Sequence, residues 1–311
     1  MSSSPVALRV NYGDLFGTSM LPVLEEIFRS ELPMHPLRRE MLFKTVSHDR
    51  DIWQSSEIHD MPLFKEVPEG SEYSFERSKQ GANKTFTMIK FGLGFSISEE
   101  AVEDGKFDFI ADMVRKLAKS ARESQEIRGM NVLNNGFTTE TTADSLSVFN
   151  TAHTLPSGGT FRNQLSTNAD LSETSLDTAL TDFETQFVGD SGIIANIKPK
   201  MLVVHSSQRR LAKELIGSEL KPNTTDNNLN ALRDEGLVVV SSPHLTDTDA
   251  WFLTAAPVET GLRIIERTGI ETKAAGPDVG FKTDSILYKS RYREEVGATH
   301  PYGVYGSPGA P

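Results

Sequence analysis

The run TFTMIKFGLGFSIS, residues 85 to 98, constrains this chain more than any other stretch. Phe91, Leu93, Phe95 and Ile97 alternate with Gly92, Gly94, Ser96 and Ser98, so a β-strand here places four apolar side chains on one face and almost nothing on the other. Upstream, SEYSF at residues 71 to 75 also reads as a strand. The intervening ERSKQGANK carries the Lys, Gly and Asn residues that suit an exposed turn. Together the two runs predict a long hairpin over residues 62–98 with a polar, projecting tip. A hairpin alone is marginal in water, so this one needs another surface to lie against.

A long amphipathic helix follows. Ser98 suits an N-cap, Glu99 and Glu100 suit the positive helix start, and Phe107, Ile110, Val114, Leu117 and Ala121 keep to one stripe. Gly105 separates a short leading turn from the main helix, which is expected to run from Phe107 to about Val132 before Asn134-Asn135-Gly136 ends it. At 1.5 Å per residue, about 25 residues span roughly 37 Å, enough for the backbone of a domain. The basic stretch Arg115-Lys116-Leu117-Ala118-Lys119 inside it reads as a solvated helix face.

Before the hairpin, residues 14–32 predict one helix, kinked or delayed by Pro22 and stopped by Pro33, within an arm of residues 1–61. After the long helix come a second helix at 173–187, the buried strand PKMLVVH and a helix at 207–216. A polar loop, GSELKPNTTDNNLN, and the strands LVVVSS, AWFLTA, LRIIER and DSILYKSRYREEV complete the chain. Helices and strands mix without strict βαβ alternation, which points to an α+β fold.

The composition narrows the chemistry. The 311 residues include no cysteine, which removes disulfides, thiolate nucleophiles and every Cys-ligated metal site. A net charge of -11 argues against a protein whose task is to grip phosphates. No stretch reads as a signal peptide or a membrane span, so a soluble protein made in a cytoplasm is expected.

Two short motifs raise the question of catalysis. Thr151-Ala152-His153 and Gly189-Asp190-Ser191-Gly192 look like the histidine and serine motifs of trypsin-like proteases. In that family the two residues come from separate barrels, and here a predicted helix takes up much of the short stretch between them. Ile193 also stands where the family has a further glycine. The Gly92-Leu93-Gly94 sequence lies within a strand pattern and lacks the third glycine of a dinucleotide loop. His205 and His244 have no ligand-spaced partner, and no Walker, zinc-protease or EF-hand spacing occurs. No catalytic, cofactor or metal residue is therefore assigned.

Phe149, His153, Pro156, Gly158, Gly159, Thr160 and Asn163 follow the long helix, and further on come VVVSSPHL with Trp251 and Leu253, then YKSRYREEVGATHPYGVYG. With the order arm, hairpin, long helix, mixed subdomain and returning strand, this resembles the major capsid proteins of tailed phages, with the Hong Kong 97-like fold. The local motifs look most like Mu-type major head subunits. The resemblance implies an N-terminal arm at 1–61, an extended loop at 62–98 lying over a neighbouring subunit, a peripheral domain at 99–199 to which 276–311 returns, and an axial domain at 200–275. It implies hexamers and pentamers of an icosahedral shell that encloses double-stranded DNA without reading its sequence. A separate scaffolding protein, a portal and a decoration protein would be partners, and there would be no cofactor and no membrane. Tyr73, Phe75, Arg77, Lys79, Lys84 and Phe86 become candidate assembly contacts. His153, Gly158, Gly159, Thr160 and Asn163 become a structural loop, with its glycines permitting a turn that other residues resist. An encapsulin-type compartment shares the fold and stays open as an alternative, as does a serine hydrolase using Ser191 and His153.

Overall fold

The computed structural model describes residues 21–58, 61–73, 75, 80–155, 158–189, 191–219, 229–275 and 285–310. In chain order its elements are α1 (Leu21–Glu31), α2 (Arg39–Leu42), β1 (Lys44–Ser47), β2 (Ile52–Ile58), β3 (Gln80–Thr87) and β4 (Ile89–Ser98). Then come α3 (Glu99–Glu103), α4 (Phe107–Asn134), β5 (His153–Thr154), β6 (Thr160–Phe161), α5 (Glu173–Thr185), β7 (Met201–His205) and α6 (Arg209–Gly217). The chain finishes with β8 (Val238–Ser242), β9 (Trp251–Thr254), β10 (Leu262–Ala275), β11 (Ser285–Ala298) and β12 (Val304–Ser307). The class is α+β. The chain divides into two compact units, one of residues 1–37, 89–125 and 267–294, the other of 38–88, 126–266 and 295–311.

In the first unit β4 pairs antiparallel with β11, setting Ile97 opposite Ile286, Phe95 opposite Tyr288 and Phe91 opposite Tyr292. The alternation expected for β4 thus becomes a row of ring contacts, with centroids 5.6 Å apart for Phe95–Tyr288 and 5.3 Å for Phe91–Tyr292. Gly94 allows the approach, because a Cβ there would stand 2.9 Å from the Tyr288 carbonyl oxygen. Leu24 and Phe28 of α1 and Ile110, Val114 and Leu117 of α4 complete this core with Ile97, Ile286 and Tyr288. Ser98 Oγ accepts from Ala101 N at 3.3 Å, and Gly105 at φ +66° turns the chain between α3 and α4. Both features are where the sequence puts them.

In the second unit β7 carries the core. Its residues are apolar in succession because both of its faces are covered. Met201 and Val203 pack with Phe149, Val240, Phe252 and Val304, while Leu202 and Val204 pack with α5, α6, Trp251, Leu253 and Tyr305. The sheet order is β12-β9-β7-β8, with β7 and β8 parallel. Phe137, Phe149 and Phe252 stack at 4.9 to 5.7 Å. Gly306 keeps room for them, since a Cβ there would stand 3.0 Å from both Phe149 and Phe252. On the other face Asp182 of α5 accepts from Arg162 Nη2 at 2.8 Å and from the Tyr305 hydroxyl at 2.7 Å. Burial, with the Asp182 carboxylate beside it, holds the Tyr305 phenol well above its ordinary range.

The tertiary pairing corrects two expectations. Residues 71–73 form no strand; β3 instead pairs with β2, with Ile52 opposite Thr87 and Trp53 opposite Phe86. The long alternating run splits at Met88, so that β4 belongs to the sheet with β11 and the hairpin is built on residues 52–87. In the second unit α5 and β12 share the core of β7 and β9. The helix expected over 14–32 is seen as α1 from Leu21 onward; residues 14–20 lie outside the described residues.

Candidate assembly interface

The β2–β3 hairpin has a fixed base and an apolar outer part. At the base, Phe86 is buried with Met88 and Ile265 against Trp53, the two rings 5.6 Å apart. Lys84 Nζ donates to the Thr141 carbonyl at 2.8 Å and to its Oγ1 at 3.0 Å, and lies 5.8 Å over the Phe86 ring. Burial pushes the neighbouring Glu140 carboxyl up, against the opposing pull of Lys84. Lys84 and Phe86 therefore anchor the hairpin to its own chain.

Beyond the base the side chains change character. Met61, Leu63, Phe64, Tyr73 and Phe75 are all exposed, Tyr73 to 73% and Phe75 to 92%. Pro68 and Gly70, at φ +81°, form a turn closed by Ser71 N donating to the Pro68 carbonyl at 3.0 Å. Burying one such aromatic or aliphatic side chain contributes about 2 kcal/mol. Met61, Leu63 and Phe64 were not singled out from the sequence; three large apolar residues within four positions of a proline-flanked, strandless stretch were the available signal. Arg77 and Lys79 lie outside the described residues.

His153 sits elsewhere in the second unit and is completely buried. Its Nδ1 meets Asp144 Oδ2 at 2.6 Å and its Nε2 meets Asn163 Oδ1 at 3.2 Å. Asn163 is equally buried: Nδ2 donates to the carbonyls of Val148 at 2.7 Å and Pro301 at 3.2 Å, while Oδ1 also accepts from Asn150 N at 2.8 Å. Those two carbonyls fix which end of the amide is oxygen. Each nitrogen of His153 thus faces an acceptor, and neither is turned to a hydroxyl that a general base would activate. Asp144, whose Oδ1 also accepts from Thr142 Oγ1, is held below the usual carboxylate range; the upward push of burial is outweighed by the bonds from His153 and Thr142.

The turn of this loop has Gly158 at φ +96°, and Leu155 N donates to the Gly159 carbonyl at 2.8 Å. Thr160 pairs with Thr154 across the two short strands β5 and β6. Pro156 lies outside the described residues. In the second motif Ser191 Oγ is buried with no hydrogen-bond partner among the described residues, and Asp190 is outside them. Asp144, the partner of His153, carried no signal in the sequence, since nothing local marks an aspartate nine positions away as its acceptor. Among the described residues no group of three or more His, Asp or Glu side chains is placed to hold a metal, and no helix is long and apolar enough to cross a membrane.

The comparisons with known proteins agree with this architecture. The family model described as phage capsid protein matches residues 82–307. No curated protein matches the chain. Among solved structures it is similar to the mature capsid of bacteriophage PhiM1, with a TM-score of 0.57 at 12% identity over 88% of this chain and 87% of that one. A structure from Microbacterium phage Oxtober96 gives 0.54 at 10% identity, covering 87% and 90%. A virus-like particle from Pyrococcus furiosus gives 0.56 at 12% identity, covering 93% and 99%. At such identities the structures establish the fold, which phage shells and a virus-like particle share, and the family match favours the phage shell. The chain belongs to the phage capsid protein family, and it is a major capsid protein with the Hong Kong 97-like fold.

Proposed function

We propose that this chain forms hexamers and pentamers that close into an icosahedral phage head around double-stranded DNA, and that the outer part of the β2–β3 hairpin is the contact between neighbouring subunits. The observation that carries this is the contrast along one hairpin. Its base is anchored through Lys84 and Phe86, while Met61, Leu63, Phe64, Tyr73 and Phe75 are exposed on a stretch that builds no core of its own. A surface of that kind is stable when a second subunit covers it. In this reading the extended loop is residues 52–87, the first unit with α4 is the peripheral domain, and the β12-β9-β7-β8 sheet with α5 and α6 is the axial domain.

The same reading places the chain nearest Mu-type head subunits, on the match of Phe149, His153, Gly158, Gly159, Thr160 and Asn163, and makes it structural without catalysis. The buried His153 and Asn163 support a loop that holds the fold. A scaffolding protein, a portal and a decoration protein are the expected partners, with assembly in the bacterial cytoplasm before incorporation into the virion. A net charge of -11 suits a wall that contains DNA without gripping it. The test is to replace residues 61–79 with a short Gly-containing turn that leaves β2 and β3 in place. The subunit should keep its unfolding transition and lose hexamers, pentamers and shells in electron micrographs; normal shells would overturn the proposal.

A further inference from the structure

β4 is the last strand of the order β1-β10-β11-β4, and at ten residues it is a long edge. Natural sheets usually shorten, charge or cover such an edge, because its outward N–H and C=O groups are a template for another strand. Beside it, between β4 and α4, lies a cavity of about 360 Å³ lined by Phe95, Ile97, Phe109, Ile110 and Met113. A second of about 140 Å³ is lined by Leu93, Leu117 and Ala121. The opposite face of the sheet differs: Lys90 and Lys289 are exposed there, Lys289 stands across from Gly94, and the glycines at 92 and 94 put no side chain over it. The edge is thus apolar on one side and basic on the other.

Residues 71–75 carry the complementary pattern. Tyr73 and Phe75 share one parity and Glu72 has the other, so as a strand this segment is aromatic on one side and acidic on the other. It has the alternation of a strand, yet residues 71–73 join no sheet, and both aromatic rings are exposed. We propose that residues 71–75 of one copy add as a strand to the β4 edge of a second copy. Tyr73 and Phe75 then enter the groove between β4 and α4, and Glu72 lies beside Lys90 and Lys289. This rests on the reading of the hairpin as an intersubunit contact and names the surface that receives it. Backbone pairing supplies the affinity, and the two-sided alternation sets which face is presented.

The chain has no native cysteine, so engineered thiols report without background. In assembled particles, E72C is combined in turn with K90C or S96C on the basic face and with L93C or F95C on the apolar face. Strand addition predicts intersubunit disulfides at a basic-face position at least tenfold more abundant than at either apolar-face position. Disulfides absent at all four positions, or formed equally at both parities, would overturn the strand pairing while leaving the hairpin contact standing. Normal shells from the 61–79 replacement would overturn both. For unassembled subunits, a synthetic peptide of residues 69–77 should slow amide hydrogen exchange in β4 at least tenfold, and a scrambled peptide should not. Unchanged exchange with the native peptide would overturn the inference.

Discussion

Asn163→Ala tests whether the His153 cluster is a structural lock. The alanine leaves four groups without their partner: the Val148 and Pro301 carbonyls, the Asn150 N–H and His153 Nε2. A buried polar group so orphaned costs about 1–3 kcal/mol, and Asn150, being only half-buried, recovers part of that from water. The expected loss is about 4 kcal/mol, a large share of the roughly 5–15 kcal/mol that stabilises a domain. At roughly 2 °C per kcal/mol for a chain of this size, the unfolding midpoint of the unassembled subunit should fall by about 8 °C. Near-UV circular dichroism would follow it, with Asn163→Asp as the control. The aspartate keeps the acceptor for Asn150 and His153 but turns an oxygen on the two carbonyls, so it should cost at least as much. A loss below about 1 kcal/mol for the alanine variant would refute the lock. Esterase turnover in the parent protein, abolished by Ser191→Ala, would restore the catalytic reading of His153.

Gly261→Ala should be among the most damaging single changes, since its Cβ would stand 1.8 Å from the His300 carbonyl oxygen, where only backbone movement makes room. A loss of about 3 kcal/mol or more is expected in urea titration, and a midpoint within error of the parent would count against the packing described. Burial and the nearby Arg263 push the His300 imidazole down to about 4. The folded protein then holds His300 neutral while the unfolded chain protonates near pH 6.5, so its contribution is complete above that pH. It is lost as the pH falls from 6.5 towards 4, by up to about 1.4 kcal/mol per pH unit. His300→Gln should remove that slope in unfolding measurements between pH 6.5 and 5; an unchanged slope would reassign it to other groups.

The local elements were legible in the sequence because they follow from periodicity and chain punctuation. The stripe Ile110, Val114 and Leu117 specifies α4 wherever it packs, and Ser98 and Gly105 act on their immediate neighbours through a cap and a positive φ. The alternation of β4 likewise fixes which residues share a face. None of these patterns names a partner. SEYSF has a strand's alternation, yet β3 pairs with IWQSSEI, which has none, through Trp53, which meets Phe86, Met88 and Ile265 in a buried cluster that includes a strand far along the chain. In the same way the motif at His153 reads as catalytic or structural until Asp144 and Asn163 are placed against its two nitrogens. Local torsions and side-chain spacing were therefore written in the sequence, whereas strand partners and the meaning of a buried polar group were decided by contacts between distant residues, which only the folded chain brings together.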